Sequence, residues 1–229
     1  MTLAELVPIA LLGGVAGLDT VSFPQAMISR PLVAATLGGM LAGAPMHGLL
    51  AGAVLELIAL ETLPVGASRY PEWGSASVVA GAIYATVAEG REVVGSLVVA
   101  VLGGLFMAWI GGWTMVKLRQ RNAVWATRRR ADLDAGSRGA VVGLQLSGLT
   151  ADLARGVALS ALAYAALVPV ETLVLQRWTV PDQYSRALLV ATAASVAVGA
   201  GWKLFHSTSG ARWLFLGGLG IGLLVLGMR

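Results

Sequence analysis

Long apolar stretches separated by short polar connections set the rhythm of this chain, at 3–18, 31–44, 46–66, 75–88, 93–116, 140–175, 187–205 and 212–228. Runs of this length read as helices, and an apolar helix of about 20 residues crosses about 30 Å of hydrocarbon. Segments 93–116 and 187–205 reach that length. Segment 31–44 spans only about 20 Å at about 1.5 Å per residue. It opens at Arg30-Pro31, contains Gly38-Gly39 and ends at Gly43-Ala44-Pro45, while the glycine-rich 46–66 ends at Pro64-Val65-Gly66. Short apolar segments interrupted by Gly and Pro point to broken helices around a transport site. Such backbone is tolerated at membrane depth inside protein or beside a water-filled cavity. We read 31–66 as a re-entrant hairpin, the other reading being two ordinary short helices. Residues 140–154 carry Gln145, Ser147, Thr150 and Asp152 and read as a separate interfacial or re-entrant piece. A crossing helix over 156–175 is expected to follow.

Composition makes lipid the solvent. Hydrophobic residues make up 57% of the 229 positions and charged residues 12%, with a mean hydropathy of +0.78. Soluble domains run about 45–50% apolar and about 25% charged. Thirty glycines suit helices that pack closely or break. The fold class that follows is all-α: a polytopic integral membrane protein with broken or re-entrant helices, read as one domain over 1–229. The start, Met1-Thr2-Leu3-Ala4-Glu5, lacks the basic stretch of a signal peptide, so the apolar run behind it is expected to be retained.

Charge then orients the chain. Lys117, Arg119, Arg121, Arg128, Arg129, Arg130 and Arg138 stand against only Asp132 and Asp134, which leaves the remainder of the chain slightly acidic. A basic connection between apolar segments is the positive-inside signal, so 117–139 is expected to be a cytoplasmic loop rather than a nucleic-acid surface. A solvated anchor or a docking surface for a soluble partner both fit it. With that loop inside, 93–116 runs inward and 75–88 outward, so Ser68–Gly74 and Arg30 lie on the cytoplasmic side. Helix 156–175 then crosses outward and 187–205 returns.

Candidate chemistry is sparse. Without cysteine, thiolate catalysis and Cys-based metal sites are excluded. His47 and His206 have no further ligand at metal spacing, so no metal and no cofactor are expected. No phosphate-cradling Gly-Lys-Ser/Thr loop occurs, which removes an ATP-driven mechanism from this chain. Glu56 lies near the middle of an apolar run, where an acid costs about 2.5–3.5 kcal/mol on insertion and must face protein or a cavity. A carboxylate accepts two sugar hydroxyls at once; the alternative is a structural acid satisfied by backbone N–H groups or an arginine. Glu61 falls about 140° around the same helix, on another face, nearer a solvated terminus. Gln25 and Gln145 can each give and accept a hydrogen bond with a sugar, or serve as glue between helices. Arg69, Pro71 and Glu72 read as a cytoplasmic gate loop or an ordinary turn. Trp73 can stack on a pyranose ring or anchor the interface.

The run from Arg30 to Glu72 also resembles the IIC subunits of the mannose–fructose–sorbose family of sugar phosphotransferase systems. The resemblance rests on Arg30-Pro31, Gly48 and Gly52, Leu55-Glu56-Leu57, Val65-Gly66-Ala67 and Pro71-Glu72. Gln145-Leu146-Ser147 through Asp152 to Arg155 matches next, and more loosely Gly199–Gly222 with Trp213-Leu214-Phe215-Leu216-Gly217. Ala44, Gln145, Asp152 and Glu72 depart from the family pattern, which usually has Asp, His, Gln and Asp there. The resemblance implies a subunit that binds a hexose-like sugar and moves it across the membrane. It also implies a second membrane subunit, IID, soluble IIA and IIB phosphocarriers, and phosphoryl transfer on those partners. This chain would then be no enzyme itself, an oligomer within the bilayer, in the bacterial cytoplasmic membrane. The same residues leave open a stand-alone secondary transporter, with Glu56 as an ion site, or a non-transporting scaffold or sensor derived from a IIC subunit.

Overall fold

The computed structural model describes residues 2–60, 62, 69–88, 94–205 and 209–227, and among them it has nine α-helices and no strand. In chain order these are α1 Leu3–Asp19, α2 Pro31–Leu41, α3 Pro45–Ala59, α4 Trp73–Val87, α5 Val94–Arg128, α6 Arg130–Asp134, α7 Arg138–Gln176, α8 Asp182–Phe205 and α9 Ala211–Gly227.

α4 is the hub, buried on every side. Its sequence, WGSASVVAGAIYATV, has a small residue at almost every turn, so neighbouring helices approach to backbone contact. A Cβ on Gly81 would fall 2.1 Å from the carbonyl oxygen of Ala35, and one on Gly38 would fall 2.1 Å from that of Val78. Both are far inside contact distance, so the α2–α4 seam exists only with glycine at these positions. α1 and α7 pack on α4 from another side, where Ser75 Oγ donates to the Gly13 carbonyl at 2.8 Å.

The expected 31–66 hairpin corresponds to α2 and α3. Pro31 and Pro45 each open their helix where a missing N–H costs nothing, and Gly43 supplies φ +84° at the turn between them. The second arm stops at Ala59, short of the expected 66. Residues 61 and 63–68, which include Glu61 and the Val65-Gly66-Ala67 match, lie outside the described residues, as does His206.

Two expectations fail on helix length. The 117–139 segment is not a loop: α5 continues unbroken to Arg128, and α6 follows at once. Lys, Arg, Gln and Ala are all good helix formers, and Met115 and Leu118 remain buried, which holds the extension against the bundle. Residues 140–154 are no separate piece either. They form the first part of α7, 39 residues long, capped by the Ser137 hydroxyl accepting from Ala140 N–H. At about 1.5 Å per residue α5 and α7 reach about 52 and 58 Å, well beyond about 30 Å of hydrocarbon. Gly95–Arg128 and Arg138–Gln176 are the two helices among the described residues that are long and apolar enough to cross a membrane.

α8 and α9 form an apolar hairpin at the side of the bundle, joined in part by an edge-to-face contact of Trp202 and Phe215 at 6.2 Å. Trp213, Leu214, Ile221 and Leu224 stay more than half exposed. Side chains of this kind need lipid or another protein around them.

Candidate functional site

The chemistry gathers at one end of the bundle. The C-terminus of α1, the mouth of the α2–α3 hairpin and the start of α4 meet there beside the middle of α5. The alignment is direct: Glu72 N–H donates to the Ala108 carbonyl at 2.9 Å, Arg119 donates to the Tyr70 phenol, and Arg155 reaches Thr114 Oγ1 at 3.2 Å. Arg30, Arg69 and the basic half of α5 thus lie toward one end of the bundle.

Asp19 organises the loop from 20 to 30. It ends α1 at 2% exposure, and its two carboxylate oxygens accept the N–H groups of Ala26 at 2.6 Å and Ser29 at 2.8 Å. These bonds hold Gln25 at φ 59° and Met27 at φ 63°, the left-handed region that side-chain-bearing residues rarely adopt. Each such residue costs about 1–3 kcal/mol unless its surroundings impose it, and such strain clusters at functional sites. Gln25 Nε2 donates to the Val21 carbonyl at 3.0 Å, which leaves its amide oxygen available.

A cavity of about 320 Å³ opens against this loop, lined by Asp19, Gln25 and Arg30 on one side and by Thr62, Pro71 and Trp73 on the other. Its size falls within the about 300–1,000 Å³ usual for small-molecule sites. The Trp73 indole N–H donates to Thr62 Oγ1 at 3.0 Å, so the ring is held in place. Glu56 belongs to the second arm of the hairpin. It sits in the last turn of α3 at the hairpin mouth, where Oε1 pairs with Arg30 and Oε2 accepts Leu32 N–H at 3.2 Å. The carboxylate therefore meets an open N–H and the positive dipole end of α2 and clasps the two arms.

The remaining candidates disperse. Glu72 is fully buried and caps α4, Oε1 accepting Ser75 N–H at 3.0 Å. Arg69 is exposed, its guanidinium 5.4 Å from the Trp109 ring centre. Gln145 lines a second cavity, formed by α5, α7 and Val21-Ser22 of the loop, rather than the one that Gln25 and Trp73 share. Among the described residues no group of acids and histidines is placed to hold a metal; His47 packs edge-on against Tyr84 at 4.8 Å.

Several roles here escaped the sequence reading, although Asp152 and Arg155 carry part of the family resemblance. That of Asp19 was one, although an acid closing an apolar helix before the polar Thr20–Gln25 run was its signal. Asp152 and Arg155 form a buried ion pair, Nη2 to Oδ1 at 2.9 Å with side chains 3% and 10% exposed. Ser22 Oγ donates to the other Asp152 oxygen at 2.7 Å and so ties the loop to α7. Their spacing of three on one helix was visible; their burial was not.

A family model described as the sorbose-specific IIC component of a phosphotransferase system matches residues 3–218. No curated protein sequence matches the chain. Among solved structures, one described only as a membrane protein is 21% identical and superposes with a TM-score of 0.72, covering 100% of this chain and 92% of the other. The mannose transporter ManYZ, solved by cryo-EM in complex with microcin E492, is 20% identical with a TM-score of 0.60 and the same coverages. At these identities the likeness is one of fold, and it is a membrane-protein fold. The family match spans nearly the whole chain, and the protein belongs to the sorbose-type IIC family, the sugar-translocating membrane components of phosphotransferase systems.

Proposed function

We propose that the chain binds a hexose-like sugar in the cavity between the 20–30 loop and Trp73 and carries it across a bacterial cytoplasmic membrane. The observation that carries this reading is the loop itself: a buried carboxylate holds two residues in a costly backbone conformation beside a cavity of ligand size. Gln25 offers an amide to sugar hydroxyls and Trp73 an apolar ring surface. Arg30, already neutralised by Glu56, adds donors without adding net charge to the site. A neutral polyol suits that balance better than an anion does.

The cavity opens at the end that carries the basic half of α5, which the positive-inside rule makes cytoplasmic. The sugar would be presented there to soluble IIA and IIB partners, with a IID-type membrane subunit completing the translocation unit within an oligomer. Phosphoryl transfer belongs to those partners on this reading. Glu56 acts through the hairpin that it clasps, and Gln145 takes no part in this cavity.

Uptake of radiolabelled mannose, fructose and sorbose by cells expressing the chain with its neighbouring gene products tests the reading. Trp73→Ala should lower uptake of the transported sugar roughly tenfold or more, since about 1.4 kcal/mol of lost contact is a factor of ten. Unchanged uptake by a well-expressed Trp73→Ala, Gln25→Ala double variant would place the sugar elsewhere.

A further inference from the structure

The groove between α5 and the first part of α7 carries a second constellation. Its inner part is a cavity of about 440 Å³ lined by Ser22, Arg119, Asn122, Gln145 and Asp152 together with Trp125. A further cavity of about 250 Å³ shares Trp125 and Leu144 with it and adds Arg128, Arg129 and Ser147. Ser22, Asn122 and Gln145 therefore gather with Arg119 at one end of the groove, Arg128 and Arg129 stand with Ser147 at the other, and Trp125 lines both.

The polar atoms at the inner end are partly unspent. The Asn122 amide oxygen is buried without a hydrogen-bond partner, and Gln145, an exposed residue, lines the same cavity. An unpaired buried acceptor is unfavourable, and a ligand hydroxyl would satisfy it. Asp152 is compensated by Arg155 and Ser22, so it does not make this end repel an anion. At the outer end Arg128 and Arg129 form no ion pair among the described residues, whereas the adjacent Arg130 is paired with Asp134 at 3.6 Å. From Asn122 to Arg129 the helix rises about 10 Å at about 1.5 Å per residue, a span that suits one sugar ring with a phosphate attached.

Depth decides what kind of phosphate can reach it. With the hydrocarbon taken to begin at Val94, about 20 residues of α5 fill it, which sets Arg128 and Arg129 roughly 20 Å past it at about 1.5 Å per residue. Headgroups extend only about 5–8 Å beyond the hydrocarbon on each side. A soluble phosphate fits this position and a lipid phosphate does not.

We infer that the α5–α7 groove binds a phosphorylated sugar, with its hydroxyls at Asn122, Gln145 and Ser22 and its phosphate at Arg128 and Arg129. The inference rests on the proposed sugar transport, since it makes the groove a product site distinct from the translocation cavity. A product held there would slow further turnover, and this chain would sense the phosphorylated pool on the side to which it delivers.

Equilibrium dialysis of the purified full-length chain in phosphatidylcholine nanodiscs tests the inference, with radiolabelled mannose 6-phosphate, fructose 1-phosphate and sorbose 1-phosphate as probes. At least one should bind, with the parent sugar and inorganic phosphate each weaker by about tenfold or more at this groove. Arg128→Ala with Arg129→Ala, both exposed positions, should weaken the phosphorylated sugar about tenfold or more and leave sugar uptake at low product concentration unchanged. Gln145→Ala should remove the preference over inorganic phosphate. Absence of binding by all three probes overturns the inference, as does binding no tighter than inorganic phosphate or insensitive to the two arginines. Phospholipid retained at the groove and displaced by none of the probes overturns it too. Sugar uptake, measured separately, keeps failure of this site distinct from failure of the transport reading.

Discussion

Asp19 exerts its effect through backbone, and that gives it a sharp signature. Its two accepted N–H bonds hold a loop that carries two left-handed residues. In Asp19→Asn one of those oxygens becomes an NH2 group facing an N–H, so a charge-assisted bond, worth about 1.5–3 kcal/mol, is lost. Sugar uptake should fall by roughly tenfold or more, while the detergent-solubilised protein elutes as a single folded species. Glu56 behaves differently. Because it clasps Arg30 and Leu32 N–H, Glu56→Gln and Arg30→Gln should each lower the melting temperature, and the double variant should be no worse than the poorer single one. Additive losses would mean that the two residues act apart, and that Glu56 has the direct sugar contact which its place in the sequence first suggested. Gln25, Pro71 and Trp73, each singled out in the sequence, line one cavity. Asp19 was not, because nothing local announces that Gln25 and Met27 adopt positive φ. That conformation is imposed by an acid several residues upstream.

At the scale of elements, hydropathy located the helices but not their ends. It reports where lipid stops, and helix formation does not stop there: α5 runs on through Lys, Arg and Gln to Arg128, and α7 begins with polar turns long before its apolar stretch. The short arms α2 and α3 were legible because Pro31 and Pro45 open them and Gly43 turns between them. What the pattern could not show is that α4 rather than the longer helices forms the centre, since that depends on which glycines face which backbone. Gly81→Leu would drive a side chain into the Ala35 carbonyl and should abolish stable accumulation, because overpacking costs about 1–3 kcal/mol or more where backbone cannot yield. Gly217→Ala, where a Cβ meets nothing within 4 Å, should accumulate as the parent does. Equal yields of the two variants in membrane fractions would contradict the α2–α4 seam.

The molecule as a whole places its polar machinery at one end and carries two helices far past the thickness of a bilayer. That end should be cytoplasmic. The chain has no native cysteine, so Thr127→Cys on the exposed stretch of α5 gives a unique probe. It should resist an impermeant maleimide in intact cells and react in inverted vesicles; labelling of intact cells would reverse the orientation and move the cavity to the outside. The central claim is that the cavity between the 20–30 loop and Trp73 holds the transported sugar, and its most direct test is uptake with binding measured on the same protein. Membrane vesicles containing the chain and the proposed IID-type subunit, titrated with radiolabelled mannose, fructose and sorbose, should bind at least one of them. Trp73→Ala and Gln25→Ala should each weaken that binding roughly tenfold, with uptake falling in parallel. Binding and uptake that both survive these two substitutions would contradict the account.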